Sequence, residues 1–74
     1  MASVVKVITI IGKSEQSFAK AADEAVRTAQ KTIRNITQVD VVSMSATVEP
    51  NPGGIKEYQT TVNVGFVVEN PGDN

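Results

Sequence analysis

The segment Pro50-Asn51-Pro52-Gly53-Gly54 constrains this chain more than any other. Two prolines and two adjacent glycines continue neither a helix nor a strand, so the chain turns there. Runs of period two flank the turn. Before it, Gln38 to Val48 alternates, with Val42, Met44, Ala46 and Val48 on even positions and Val39, Val41, Ser43, Ser45 and Thr47 on odd ones. After it, Ile55 to Val68 sends Tyr58, Val62, Val64, Phe66 and Val68 one way and Glu57, Gln59, Thr61, Asn63 and Gly65 the other. Two such runs about a Pro/Gly loop predict an antiparallel hairpin. Strands of this length extend about 35–45 Å. A compact chain of 74 residues has a radius of gyration of only about 11 Å. The hairpin must curl hard around another element or project from the globule.

Two elements precede the hairpin. Val4 to Ile11 is β-branched almost throughout, which predicts a strand, and Gly12 is expected to end it. Apart from Lys6 and Thr9 both faces of that strand are apolar, so it should be covered on both sides. Ser14 is the expected N-cap of a helix over 15–34, with Glu15 and Gln16 in the first turn. Phe18, Ala22, Ala25, Ala29, Ile33 and Ile36 recur at spacings of three and four, widened by Ala21 and Val26. The small alanines let the helix approach a sheet closely. Lys20, Asp23, Glu24, Arg27, Lys31 and Arg34 occupy the opposite face. Asp23 and Arg27 form an i,i+4 pair, and Lys31 and Arg34 are expected in the last turn, facing the negative end of the helix dipole. The order is strand, helix, strand, strand, an α+β unit that makes residues 1–74 a single domain with a frayed tail over 69–74.

A domain this small usually needs a staple. The chain has no cysteine, so disulfides and thiolate metal sites are excluded. It has no histidine, which removes the usual acid–base catalyst, the Ser-His and Cys-His pairs, and the common zinc and haem ligands. Self-association is the staple that remains. A net charge of −1 gives no electrostatic footing for nucleic acid. No apolar run approaches the length of a membrane span, and the opening residues lack the charged-then-apolar order of a signal peptide. A cytoplasmic protein is the expectation, which also leaves the glycosylation pattern Asn35-Ile36-Thr37 without consequence.

Few residues offer chemistry. Gly12-Lys13-Ser14 sits where a phosphate-binding loop would end, but Val7 stands where that loop needs its first glycine. A turn glycine and a cap serine account for it, leaving at most a weak anion preference at the helix N-terminus. Arg27, Lys31 and Arg34 share a helix face with interleaved acids, which reads as a solvated or inter-subunit salt-bridge face rather than an RNA stripe. Asp40, Glu49, Glu57 and Glu69 are scattered, so no acid–base dyad is expected, and a cation could be held only between subunits. The hairpin face made by Ser43, Ser45, Thr47, Gln59, Thr61 and Asn63 is polar yet nearly uncharged. It suits an interface, a ligand pocket or an ordinary wet surface.

These segments, in this order, resemble the dodecins. The resemblance covers nearly the whole chain: Val-Val-Lys-Val-Ile-Thr-Ile-Ile-Gly, Lys-Ser-Glu-Gln-Ser-Phe, Ala-Ala-Asp-Glu-Ala-Val, Lys-Thr-Ile-Arg-Asn-Ile, Val-Asp-Val-Val and Tyr-Gln-Thr-Thr-Val-Asn-Val-Gly-Phe. It implies a three-stranded antiparallel sheet folded around one helix, assembled as a hollow homododecamer of tetrahedral symmetry. It also implies a non-enzymatic protein that sequesters flavins, riboflavin or FMN, at pockets between subunits. Gln59 in Tyr58-Gln59-Thr60 matches the glutamine that hydrogen-bonds the flavin's pyrimidine edge. The flavin-stacking tryptophan of the family falls at Gln38, three residues after Asn35 and two before Asp40. Each aromatic stack contributes roughly 0.5–1.5 kcal/mol beyond buried area, so an amide there implies flavin binding that is weak or lost. The first strand and helix are also similar to a tryptophan-less, calcium-binding branch of dodecins. That likeness implies calcium, magnesium or another cation as the alternative occupant, with no ligand residues assigned, and a purely structural dodecameric cage without an organic ligand is the other alternative; a link of bacterial dodecins to coenzyme A is likewise unplaced.

Overall fold

The computed structural model describes residues 3–68, so the expected tail over 69–74 lies outside the described residues. The elements run β1 (Val4–Ser14), α1 (Phe18–Gln30), β2 (Ile36–Val48) and β3 (Ile55–Val68). The strands form one antiparallel sheet in the order β1-β3-β2, with the helix on one face. This is the α+β, β-α-β-β architecture expected. The hairpin spans the Pro50–Gly54 turn as predicted, closed by Glu49 N–H donating to the Gly54 carbonyl at 2.8 Å. No helix among the described residues is long and apolar enough to cross a membrane.

Two boundaries near the first turn differ from expectation. β1 does not stop at Gly12 but continues to Ser14, which pairs with Tyr58. Gly12 is a buried strand residue, and a Cβ on it would overlap the Ala21 carbonyl oxygen and come 3.0 Å from the Ala25 Cβ. Its role is close approach between strand and helix rather than strand termination. Ser14 is therefore not the N-cap. Its Oγ accepts from Gln16 N–H at 2.9 Å in a tight turn, and Ser17 caps the helix by accepting from Lys20 N–H at 3.0 Å. Both serines are competent caps; pairing of β1 out to Tyr58 holds the first in extended backbone.

The helix also ends early, at Gln30 rather than residue 34. Lys31 is the C-cap, Thr32 and Ile33 N–H both donate to the Ala29 carbonyl, and Arg34 lies beyond the helix. Asn35, at φ 64, reverses the chain into β2, a left-handed conformation that asparagine tolerates better than most residues. Its carbonyl accepts from Val67 N–H at 3.0 Å, so β2 starts paired at Ile36, two residues before the predicted Gln38.

Ala21, Ala25 and Ala29, one turn apart, are buried, and Ala25 packs with Val62 and Val64 of the central strand, with Ile8, Ile10, Ala22 and Ile36 alongside. Thr60 is buried too and donates its hydroxyl to the Phe18 carbonyl at 2.8 Å. Phe18 meets Tyr58 edge-on at 4.8 Å. These contacts fasten the helix over β1 and β3; it barely reaches β2. β1 is consequently not covered on both faces: Val5, Val7 and Ile11 are exposed. The far end of the hairpin projects, giving extents of 60 × 20 × 12 Å and a radius of gyration of 15.8 Å.

Register along β2 shifts three times, between Ile36 and Gln38, between Val41 and Ser43, and between Thr47 and Val48, and the middle shift sorts most of the faces. Val41 pairs with Val62 and Ser43 with Thr61, so Val42 is a β-bulge. A one-residue insertion exchanges the faces of Gln38 to Val41 relative to the residues from Ser43 on, and the shift between Ile36 and Gln38 leaves Ile36 on the helix side opposite Phe66. Val39 and Val41, expected beside Ser43 and Ser45, lie instead on the helix side of the sheet with Met44 and Ala46, opposite Val64, Val62, Thr60 and Tyr58. The bulge thus sorts the strand into an apolar and a polar face that strict alternation would have mixed.

Candidate ligand-binding face

The face of the sheet away from the helix carries the polar residues. Register places them in rows across the strands. Asp40, Asn63 and Thr9 form one row, and Thr9 donates its hydroxyl to Asn63 Oδ1 at 2.6 Å. Ser43 and Thr61 with Ile11 form the next; Ser45 and Gln59 with Lys13 the one after; Thr47 faces Glu57 beyond them. The hydroxyl and amide ladder predicted for the last two strands is present. Along β1 it is bordered by exposed Val5, Val7 and Ile11, so a mostly polar face carries an apolar margin, which suits an amphipathic occupant.

Gln38 and Gln59 lie on this same face but not together. Gln38 is in register with Gly65, six positions along β3 from Gln59. That separation is about 20 Å. Among the described residues neither groove of the chain is lined by Gln38 or Gln59. The aromatic rings are all elsewhere: Phe18 is on the helix, and Tyr58 and Phe66 belong to the helix side of β3. The helix-free face therefore offers amides, hydroxyls and aliphatic surface, but no ring of its own to stack on a planar group.

Amide groups fit an imide-like heterocycle edge, because each glutamine both donates and accepts. A cation is fitted less well. Among the described residues no three acidic side chains converge, whereas calcium takes six to eight oxygens. A groove of about 560 Å³ lies on the other side of the sheet, along the β1 edge, between Ile8 and Ile10, the helix residues Ala25 and Thr28, and Ile33 just beyond the helix. Its floor is apolar and neither glutamine reaches it.

Charge on the helix is local. Arg27 Nε donates to Asp23 Oδ2 at 2.7 Å, the predicted i,i+4 pair. That hydrogen bond, helped by the Asp23 charge, raises the guanidinium above its ordinary value and leaves it charged at any working pH. Sequence reasoning placed Gly65 on this face by alternation but missed Thr9 and Lys13 as members of it. The β2–β3 rows cannot be counted back from the turn, because the register shifts between Thr47 and Val48 and again between Val41 and Ser43, and nothing local signals which edge of β3 receives β1.

The family model described as Dodecin matches residues 4–69. The dodecin of Thermus thermophilus is 33% identical over 69 residues, covering 93% of this chain and 97% of that one. A solved structure of a tryptophan-to-phenylalanine mutant of T. thermophilus dodecin superposes with a TM-score of 0.86 at 32% identity, covering 93% of this chain and all of the other. The calcium dodecin of Mycobacterium tuberculosis, a calcium-chelating antigen with a calcium-binding site, superposes with a TM-score of 0.77 at 36% identity over 93% of this chain and 94% of its own. Family match, sequence identity and strand order agree, and the chain belongs to the dodecin family.

Proposed function

We propose that this protein is a non-enzymatic binding and storage protein that works as a homododecamer, with flavin, riboflavin or FMN, bound weakly or not at all. The observation that carries this reading is the separation of Gln38 and Gln59 on one helix-free face that has no aromatic ring. A pocket using both is completed only where faces of different copies meet. Such a pocket keeps the amide groups that address a pyrimidine edge and lacks the stack that would hold the ring. T. thermophilus dodecin has a tryptophan that was chosen for substitution, and this chain has none.

Self-association is supported independently by what a single copy leaves in water. Ile11 and Met44 are each 59% exposed and Val41 56%, on opposite faces of the sheet, while the buried apolar core rests on three alanines and two valines. That core is too small to hold an elongated chain alone. Light scattering on the eluting particle should give a dodecamer mass; a stable monomer would refute the assembly. Titrating riboflavin and FMN, with fluorescence quenching as readout, should show weak or no binding. Stoichiometric quenching at sub-micromolar ligand would refute the weakness.

A second reading is favoured by the 36% identity to calcium dodecin. In it the cage binds calcium or magnesium and no organic ligand, with the cation held between copies, since no single chain gathers the acids among its described residues. Calcium should then raise the melting temperature of the assembly equally in wild type and in Gln38→Trp. Calorimetry showing no cation binding would remove this alternative.

A further inference from the structure

We propose that Gly65 is the positioning residue for the side chain at residue 38, and that the pair keeps the helix-free face low enough to admit a flat ring system. The proposal rests on the ligand-binding reading of that face. Gly65 is buried in the middle of the central strand, in register with Gln38 on one side and Val7 on the other. It has no left-handed backbone; among the described residues only Gly53 and Gly54 are glycines with positive φ. A glycine in a strand interior weakens the strand unless something needs its empty side-chain space. Here the occupant is visible. A Cβ at Gly65 would come 2.8 Å from Gln38 Cγ, 3.2 Å from Gln38 Cδ and 3.3 Å from Val5 Cγ1.

The side chain at residue 38 therefore lies across β3, in the space an ordinary residue 65 would fill, instead of standing off the sheet. Its amide is carried inward over the strand, toward Val5. The surface between β2 and β1 then stays level at this row, with aliphatic groups on one side and an amide laid flat. A planar heterocycle can rest on such a surface, whereas a residue with a Cβ at position 65 lifts side chain 38 into the space the ring needs. The same seat would receive a ring placed at position 38.

The test has a readout that needs no ligand. Thermal melts of wild type, Gly65→Ala, Gln38→Ala and the double variant are compared at equal protein concentration. Gly65→Ala should lower the melting temperature by several degrees, and most of that loss should vanish when residue 38 is alanine. Additive effects would overturn the proposal. Should Gly65→Ala fail to assemble, Gln38→Ala/Gly65→Ala must restore a folded particle; failure of both overturns it equally. Because the chain has no tryptophan, Gln38→Trp carries a single indole that reports its own seat. Acrylamide should quench it several-fold more strongly when Gly65→Ala is added. An indole indifferent to residue 65 refutes the positioning role whatever riboflavin does. An indole that is seated, yet leaves riboflavin unbound, upholds the positioning role and counts against the ligand reading alone.

Discussion

Gly12→Ala is the sharpest test of how this fold closes. The backbone at Gly12 is not in the left-handed region, so alanine is conformationally acceptable there. On that ground alone the substitution should stabilise by about 0.4–1 kcal/mol, through a less flexible unfolded chain. Packing predicts the opposite sign. The new methyl overlaps the Ala21 carbonyl oxygen and sits 3.0 Å from the Ala25 Cβ. Ordinary carbon contacts lie near ~3.5 Å or beyond. The obstacle is backbone, so no rotamer change relieves it, and the helix must lift off β1. Lifting it loosens Ala25 from Val62 and Val64, the centre of the core. Overpacking of this kind costs about 1–3 kcal/mol, and an immovable obstacle places it at the upper end. The net loss is then about 2 kcal/mol, or roughly 8–16 °C in melting temperature for a domain of this size. Circular dichroism melts at matched protomer concentration would measure it, because an assembly's melting point depends on concentration. A melting temperature equal to or above wild type would refute the close-approach argument outright.

Other expectations follow from the same contacts. Ser17→Ala should cost about 1 kcal/mol by removing the helix cap, while Ser14→Ala should leave the helix intact, and amide exchange at Lys20 distinguishes them. Thr60→Val should cost about 1 kcal/mol, because it removes the buried hydroxyl that holds the Phe18 carbonyl; loss of protection at the start of α1, with β3 unaffected, would confirm the site of damage. Asp23 raises the Arg27 guanidinium above its ordinary value. A raised cation stabilises fully below its unfolded value and loses that contribution only as pH climbs through the raised one. Melts of Asp23→Asn and wild type should therefore run parallel from neutral to mildly alkaline pH, and a divergence there would show that the pair couples to another titrating group.

Much of the fold was legible because it is written in near neighbours. The Pro50–Gly54 turn and the flanking alternation are sufficient for an antiparallel hairpin but not for its register, because a shift between Thr47 and Val48 sets Ser45 opposite Gln59 and Ser43 opposite Thr61, one place from where a count from the turn would put them. The alternation misleads before Val42, since a bulge leaves no mark in residue type and exchanges the faces of Val39 and Val41. The helix was recognisable from its alanine spacing, but two serines could cap it. The choice fell to Ser17 because distant Tyr58 pairs with Ser14. Of the site, the polar ladder and both glutamines were readable. The 20 Å between Gln38 and Gln59, about the length of six strand residues, was not, and neither was the seat at Gly65.

The amino-acid order by itself determined the element sequence, the hairpin, the close-packing helix and the absence of histidine and cysteine chemistry. Those properties depend on periodicities of two and 3.6, which are set by residues a few positions apart. Tertiary structure decided the strand order β1-β3-β2, the bulge at Val42, the burial of Gly12 and the lodging of Gln38 over Gly65. Each of these depends on which distant backbone fills a given space, and a glycine records only that the space is taken, not by what.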